Sequence, residues 1–294
     1  MSATEAWTIG KLLTWTADFL KKSGSTSPRL DAEVLLAHAC GCQRIELYTT
    51  FDTEPAEQAR IAFREMVRRR AEGTPVAYLV GYKEFYSMNF DVNPDVLIPR
   101  PETEHLVVVT LDRAKEFGSQ SLDIVDVGTG SGAVAISLTK HLKNCRMTAI
   151  DKSAAALVVA QRNVEKHQLS DRITLLESDL LNALPDSQQV DFVISNPPYV
   201  SESEFELLPV TVRNFEPKMA LVAGPAGSEI IVKLLAQAQT HLKAGGYCIF
   251  EFSPMLNQHL GEIVGEGWEA PHVTKDLAGL ARIVTLRKTS NLSS

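Results

Sequence analysis

The residues whose spacing carries most chemistry are Asn196-Pro197-Pro198-Tyr199, placed directly after an apolar run at 192–194. An Asn side-chain carbonyl and a Pro main-chain carbonyl each accept an N–H, so Asn196 and Pro197 could hold a planar NH2 group by both of its protons. The prolines Pro197 and Pro198 restrict the backbone, which keeps the two oxygens aimed at little entropic cost. Tyr199 offers a flat face to such a group. Further upstream, Gly128-Thr129-Gly130-Ser131-Gly132 follows another apolar run, and Val134, Ile136 and Leu138 continue as a helix. Glycines there permit a sharp turn and a close approach of ligand to backbone. The spacing is neither the Gly-x-Gly-x-x-Gly of dinucleotide folds nor a phosphate loop with its Gly-Lys-Ser/Thr ending, and it suits a ligand without a pyrophosphate. Asp151 closes the run 148–150, where an acid can accept hydrogen bonds from both hydroxyls of a ribose. Its plainer role would be to cap the helix from Ser153. Asp179, between Ser178 and Leu180, follows the third run, where an acid could meet an adenine amino group.

These residues need a scaffold, and the apolar pattern supplies one. Short apolar runs at 122–127, 147–150, 173–176, 192–194 and 247–252 alternate with helical patterns, which predicts βαβ units around a mostly parallel sheet. Segments 268–273 and 282–286 are expected to pair as a hairpin at the sheet edge. Before about Gly73 the pattern is helical. Ile9, Leu12, Leu13, Thr16, Phe19 and Leu20 recur every three or four residues. Ser27-Pro28 marks a helix start, Gly41 a stop, and Pro55 opens another helix that ends near Arg68-Arg69-Arg70. That basic run reads as a solvated helix end, or as a contact for RNA or an acidic partner. Between 82 and 98, Phe85, Met88, Phe90 and Val92 alternate with polar residues around Ser87, as in a hairpin. The domains expected are therefore a helical recognition domain at 1–81, a hairpin linker at 82–98 and a catalytic domain at 99–294.

Composition narrows the function. The chain has 294 residues, 45% of them hydrophobic, and a net charge of −7, so it does not look like a general binder of phosphate backbones. Its 4 cysteines, Cys40, Cys42, Cys145 and Cys248, form neither a disulfide framework nor a Cys-x-x-Cys zinc motif. They read as reduced thiols of a cytoplasmic protein. No apolar run is long enough for a membrane span, and the start, Met-Ser-Ala-Thr-Glu-Ala-Trp, lacks the layout of a secretory signal. No metal is expected.

The tetrapeptide Asn196 to Tyr199 resembles the signature of S-adenosylmethionine-dependent methyltransferases that act on planar nitrogens. Such a nitrogen has its lone pair delocalised and is a poor nucleophile, whereas a methyl group on a sulfonium is already activated. Alignment and two acceptors for the NH2 are then the main requirements, and no strong base is needed because the nitrogen turns acidic only as it is methylated. Nearly the whole chain is similar to the HemK-type protein-(glutamine-N5) methyltransferases that modify peptide chain release factors. The similarity lies in Leu30-Asp31-Ala32-Glu33-Val34-Leu35-Leu36, Gly73-Thr74-Pro75-Val76-Ala77-Tyr78-Leu79-Val80-Gly81 and Phe90-x-Val92. It continues through Val96-Leu97-Ile98-Pro99-Arg100-Pro101-Glu102-Thr103-Glu104, the glycine loop, Asn196 to Tyr199, Phe215-Glu216-Pro217 and Asp276-Leu277-Ala278-Gly279-x-x-Arg282.

The resemblance implies a Rossmann-like methyltransferase domain, mostly parallel with a C-terminal antiparallel hairpin, behind a small N-terminal helical bundle. It implies methylation of the glutamine in the Gly-Gly-Gln motif of class-1 release factors, with release of S-adenosyl-L-homocysteine. Gly128, Thr129, Gly130, Ser131, Gly132, Asp151, Asp179, Leu180 and Asn196 would hold S-adenosyl-L-methionine. Asn196, Pro197, Pro198 and Tyr199 would hold the glutamine amide, and the Pro99 to Glu102 stretch would border the site. A monomer without nucleic-acid or membrane partners is expected. Leu180 stands where some members carry an aromatic residue, and Glu251-Phe252-Ser253-Pro254 where a glycine-containing turn is more usual. Neither departure touches the amide acceptors. The alternatives are an adenine-N6 methyltransferase of DNA or RNA, which should show a basic groove, a ribosomal-protein glutamine methyltransferase, and a binding module with a vestigial cofactor pocket. The Ile98 to Glu102 stretch favours the release-factor type.

Overall fold

The period of the apolar residues changes along the chain, and the architecture changes with it. A computed structural model describes residues 6–290. Residues 1–5, which carry most of the stretch read against a secretory signal, lie outside the described residues. The chain divides into two compact units, Met1–Gly81 with Val210–Phe215, and Tyr82–Pro209 with Glu216–Ser294.

The N-terminal stretch of the first unit folds, among the described residues, into α1 (Ile9–Lys22), α2 (Pro28–Cys40), α3 (Glu46–Thr49), α4 (Glu57–Ala71) and α5 (Val76–Val80). The apolar stripe of α1 buries Leu13 and Leu20 against Leu35, Leu36, Phe63 and Val67 of α2 and α4. Thr8 caps α1 by accepting from the Lys11 N–H, and Gly41 ends α2 at a φ of 65° that favours glycine. Ser27 holds the N-cap position of α2, but its side chain makes no capping bond. Ser25 instead donates to Asp31, 2.7 Å away. The arginine run splits. Arg68 pairs with Glu65 and Glu72 on the helix surface, while Arg70 turns inward to a largely buried ion pair with Asp31 at 2.8 Å. Arg29, Arg44 and Tyr48 converge on Glu33. Burial opposes the Glu33 charge, but these bonds outweigh it and hold its carboxyl below the ordinary range. Gly73 has a φ of 103°, and a Cβ there would lie 3.2 Å from the Phe215 ring. The short helix α10 (Val210–Arg213) and Phe215 thus belong with this unit.

The second unit opens with the antiparallel hairpin β1 (Tyr82–Phe85) and β2 (Met88–Asp91). Tyr86 and Ser87 turn it with positive φ, 49° and 58°. After a 3₁₀ turn at Pro101–Thr103 comes α6 (Glu104–Ala114), followed by β3 (Leu122–Val127), α7 (Ala133–His141), β4 (Cys145–Asp151), α8 (Ala154–Lys166), β5 (Ile173–Glu177) and β6 (Val190–Ser195). Then follow β7 (Val200–Ser201), α9 (Glu202–Phe205), β8 (Val222–Gly224), α11 (Glu229–His241), β9 (Leu242–Glu251), α12 (Leu260–Val264), β10 (His272–Lys275) and β11 (Ala281–Arg287). The main sheet has the order β10-β11-β9-β6-β3-β4-β5, and a separate small sheet pairs β7 with β8. β9, β6, β3, β4 and β5 run parallel, and β11 and β10 form the expected antiparallel edge.

Register decides where the site lies. Val127 pairs with Ile150 and with Ser195, Asp151 with Glu177, and Ser195 with Phe250. The carboxyl ends of five strands therefore meet at one sheet edge. Winding reverses between β3 and β6, and in open α/β sheets the ligand crevice lies at such a reversal. Successive side chains of the parallel strands alternate between two cores. Ile124 and Phe192 face the layer with Leu138 and Phe90, and Val125 and Val193 face the layer with Leu234 and Phe250.

Asp126 falls between Val125 and Val127, only 2% exposed, and accepts from the Thr129 hydroxyl at 2.7 Å, which closes the turn after β3. Burial pushes its carboxyl up to about 7 from an ordinary 3.8, against the bonds from Thr129 and the Ala135 N–H. The folded chain holds this proton more tightly than the unfolded one. The contribution to stability is thus complete below the unfolded value and is lost as pH rises towards 7. Between about pH 4 and pH 8 the unaltered chain should lose on the order of 3 kcal/mol more unfolding free energy than Asp126→Asn. Urea unfolding at the two pH values measures this, and equal slopes for both chains would refute it.

Candidate active site

The turn after β3 is built from glycines with three different duties. Gly128, Gly130 and Gly132 all have positive φ, 72°, 55° and 80°. A Cβ on Gly132 would crowd Ile136 of α7 at 3.2 Å and stand in ordinary contact with Ala160 of α8 at 3.6 Å, so this glycine relieves the first turn of α7. A Cβ on Gly128 would face the Asn196 main-chain oxygen at 3.9 Å, whereas one on Gly130 would meet nothing within 4 Å. Gly130 borders a cavity of about 240 Å³ whose lining includes Phe85, Thr103, Asp151, Leu180 and Asn196. Thr129 and Ser131 line it as well, although Ser131 is buried and its carbonyl accepts from Asn163 on α8 at 2.8 Å.

Asp151 ends β4 at the rim of this cavity. One carboxylate oxygen accepts from the Gly130 N–H at 2.8 Å and the other from the Ser153 N–H at 2.9 Å. The carboxylate keeps lone-pair capacity for a hydroxyl donor from the cavity. Burial raises its pKa, and the backbone N–H bonds act against that. The capping of α8 falls instead to Ser153, which accepts from the Ala156 N–H at 3.1 Å. With an apolar wall from Val127, Val134, Ala156 and Leu180, this donor and acceptor set fits a nucleoside. Leu180 holds a φ of 55°, uncommon for a side chain with a Cβ, at the cavity edge. Asp179 also lines the cavity but is more than half exposed and pairs with Lys152 at 2.9 Å.

The Asn196 motif leaves β6 across the crevice. Its side-chain NH2 donates to the Thr103 hydroxyl at 3.0 Å. Thr103 donates to Glu251 Oε2 at 2.7 Å, and the Tyr199 hydroxyl donates to Glu251 Oε1 at 2.9 Å. Glu251 is 1% exposed at the end of β9. Burial raises its pKa, opposed by the bonds from Thr103 and Tyr199 and by the Arg282 charge. Burial and the neighbouring Glu251 charge push the Tyr199 phenol far up, so it stays a donor at neutral pH. Asn196, Pro197 and Pro198 line the cavity. Tyr199 does not, since its ring packs against the Val193 and Phe250 core and its hydroxyl serves Glu251.

Two motifs quoted from the sequence gain physical roles. Glu216 of Phe215-Glu216-Pro217 accepts from the Ile98 N–H at 3.2 Å and pairs with Arg100, so it ties down the stretch beside the cavity. Asp276 accepts from the Ala278 and Leu280 N–H groups, each at 2.9 Å, and pairs with Arg282 at 2.9 Å, which shapes the β10–β11 turn. Thr103, Glu251, Asp126 and Phe85 also belong to the site, and no sequence motif assigns them a role there. The one signal for Glu251 in the chain itself is an acid closing an otherwise apolar strand. Among the described residues no group of three or more His, Cys, Asp or Glu side chains is placed to hold a metal ion, and no helix is long and apolar enough to cross a membrane.

Known proteins resemble this chain over nearly its whole length. The PrmC N-terminal domain model matches residues 11–81, and the methyltransferase small domain model matches residues 103–214. The release factor glutamine methyltransferase of Rhodopirellula baltica is 54% identical over 287 residues, covering 96% of this chain and 97% of its own length. That of Nitratidesulfovibrio vulgaris is 38% identical over 290 residues, covering 98% and 97%. Among solved structures, the hMettl16 catalytic domain bound to an MAT2A 3'UTR hairpin gives a TM-score of 0.57 at 17% identity, over 78% of this chain and 84% of that one. A methyltransferase from Pyrococcus furiosus gives 0.51 at 20% identity, over 76% and 97%. These two share the fold alone. The near-complete coverage by relatives of one kind decides the matter: the chain belongs to the release factor glutamine methyltransferase family and is a protein-glutamine methyltransferase.

Proposed function

We propose that the chain transfers a methyl group from S-adenosyl-L-methionine to the side-chain nitrogen of the glutamine in the Gly-Gly-Gln motif of class-1 peptide chain release factors. When bound, the cofactor supplies a methyl already activated on a sulfonium, and S-adenosyl-L-homocysteine remains. The observation that carries this reading is the Asn196 amide, held by its NH2 on Thr103 beside a cavity that Gly130 and Asp151 border.

Gly128 to Gly132 let the backbone approach the cofactor, and Asp151 accepts from its ribose hydroxyls. Leu180 packs on the adenine face, and Asp179 lies near its amino edge. Across the crevice, Asn196 Oδ1 and the Pro197 carbonyl each accept one N–H of the glutamine. The NH2 plane is thereby fixed, and electron density gathers on nitrogen as it attacks. Pro198 stiffens the turn. Tyr199 acts from behind it through Glu251. The helical unit, residues 1–81, recognises the body of the release factor.

Two measurements test this. Asn196→Ala should lower kcat by about 100-fold or more while cofactor affinity stays within about fivefold. Mass spectrometry of the release factor and calorimetry with the cofactor read the two effects, and equal loss of both would contradict the assignment. Removing residues 1–72 should raise KM for intact release factor by about tenfold or more and leave a short Gly-Gly-Gln peptide little affected. The peptide activity reports the integrity of the second unit, and a larger effect on the peptide would take recognition away from the helices. Methylation of DNA or RNA in place of the glutamine would overturn the whole reading.

A further inference from the structure

We propose that Thr103 and Glu251 are positioning residues that dictate which way the Asn196 amide faces. The inference rests on the function proposed above and adds to it how the acceptor is oriented. The oxygen and nitrogen of a primary amide are nearly the same size, so packing cannot choose between the two orientations of Asn196. Hydrogen-bond polarity can. In one orientation the carbonyl meets the glutamine NH2. In the other, two NH2 groups face each other and only the Pro197 carbonyl is left to accept from the nucleophile.

The polarity starts at Glu251. An ionised carboxylate only accepts, and Glu251 takes one proton from Tyr199 at 2.9 Å and one from Thr103 at 2.7 Å. A threonine hydroxyl has one proton. With it committed to Glu251, Thr103 offers only lone pairs to Asn196, 3.0 Å away. Asn196 must therefore present its NH2 to Thr103 and its carbonyl to the other side. Thr103 is 4% exposed and Glu251 1%, so bulk water is not at hand to take over either bond. The three residues come from the 3₁₀ turn before α6, the end of β6 and the end of β9. A buried carboxylate is costly to keep, and a buried polar group of this kind replaced together with all its partners by apolar residues is often as stable or more so. A fixed direction of hydrogen bonding is what an apolar residue at 251 would not supply.

The test uses the full chain with a Gly-Gly-Gln peptide. Thr103→Val keeps the shape and removes the hydroxyl, and it should lower kcat by about tenfold or more, with KM and cofactor affinity within about threefold. Thr103→Ser restores the hydroxyl and should return kcat to within about threefold of the unaltered chain. Glu251→Leu should lower kcat by a similar factor and also lower the thermal midpoint, because it leaves the buried Tyr199 hydroxyl without its acceptor. In chain labelled with ¹⁵N-asparagine, exchange of the Asn196 side-chain protons with water should quicken in Thr103→Val, with other Asn side chains unchanged. A kcat within about twofold in Thr103→Val, a Thr103→Ser variant as slow as Thr103→Val, or unaltered Asn196 exchange would each overturn the inference and leave the proposed function standing. Failure of the unaltered chain to methylate the peptide or intact release factor would remove both.

Discussion

Parallel strands in register end together, and the site depends on that constraint. β3, β4, β5, β6 and β9 finish at one edge because their pairings are fixed at Val127, Ile150, Asp151, Ser195 and Phe250. A slip of one residue would carry each inward side chain to the opposite core and would turn Asp126 and Asp151 the wrong way. Both faces of the sheet are covered by apolar layers, so such a slip is strongly disfavoured. The reversal of winding between β3 and β6 then leaves a crevice with the glycine turn on one side and Asn196 on the other. Rigid placement is therefore inherited from the sheet, and the turns need add only local stiffness through prolines and close glycine contacts.

The second unit places several ionisable groups where water is scarce, and each has found partners. Asp126 takes the Thr129 hydroxyl, Asp151 two backbone N–H groups, and Glu251 the hydroxyls of Thr103 and Tyr199. Burial raises the pKa of all three, so each is held against an opposing tendency to take up a proton. Such groups are a poor means of stabilising a fold, because apolar replacements often do as well. Their common feature is that each fixes a segment at the cavity: the glycine turn, the start of α8, or the Asn196 motif. The Asp31 and Arg70 pair and the Glu33 cluster play a comparable orienting part among α2, α3 and α4.

What the sequence made legible follows from the range of the interactions. The five parallel strands were readable because burial on both faces turns them into apolar runs, and the observed elements extend those runs by only a few residues. The closing hairpin was readable only in part: β11 is mostly buried, but β10 (His272–Lys275) is exposed or half-buried and starts later than the expected segment, and Trp268 contributes only an isolated bridge to Lys288. β7 and β8, two and three residues long, show no period at all. Local motifs gave the glycine turn, Asp151 and Asn196, since each sits at a strand end that can be located from the chain itself. Thr103 and Glu251 lie 148 residues apart, and nothing in either neighbourhood announces the other. Arg70 shows the same limit: three adjacent arginines look like one surface, yet one of them points into the unit. Pairings across long separations are decided by packing, and a single sequence does not display them.

On the proposed function, the fold of the second unit need not choose the substrate by itself. Solved structures that share the fold at 17% and 20% identity include one bound to an RNA hairpin, and an Asn-Pro-Pro-Tyr turn would suit an exocyclic base amine as well as a side-chain amide. A base must be pulled out of its stack and its phosphates neutralised, which calls for positive charge. A glutamine on an exposed protein loop needs neither, only a surface that recognises the rest of that protein. The acidic balance of the chain and a helical unit matched from residue 11 to 81 by its own family model fit the second demand. Relatives covering nearly the full length carry both parts together. On the proposed function, substrate choice follows from pairing an amide clamp with a particular recognition surface, and chemistry at the clamp can stay the same while that surface changes.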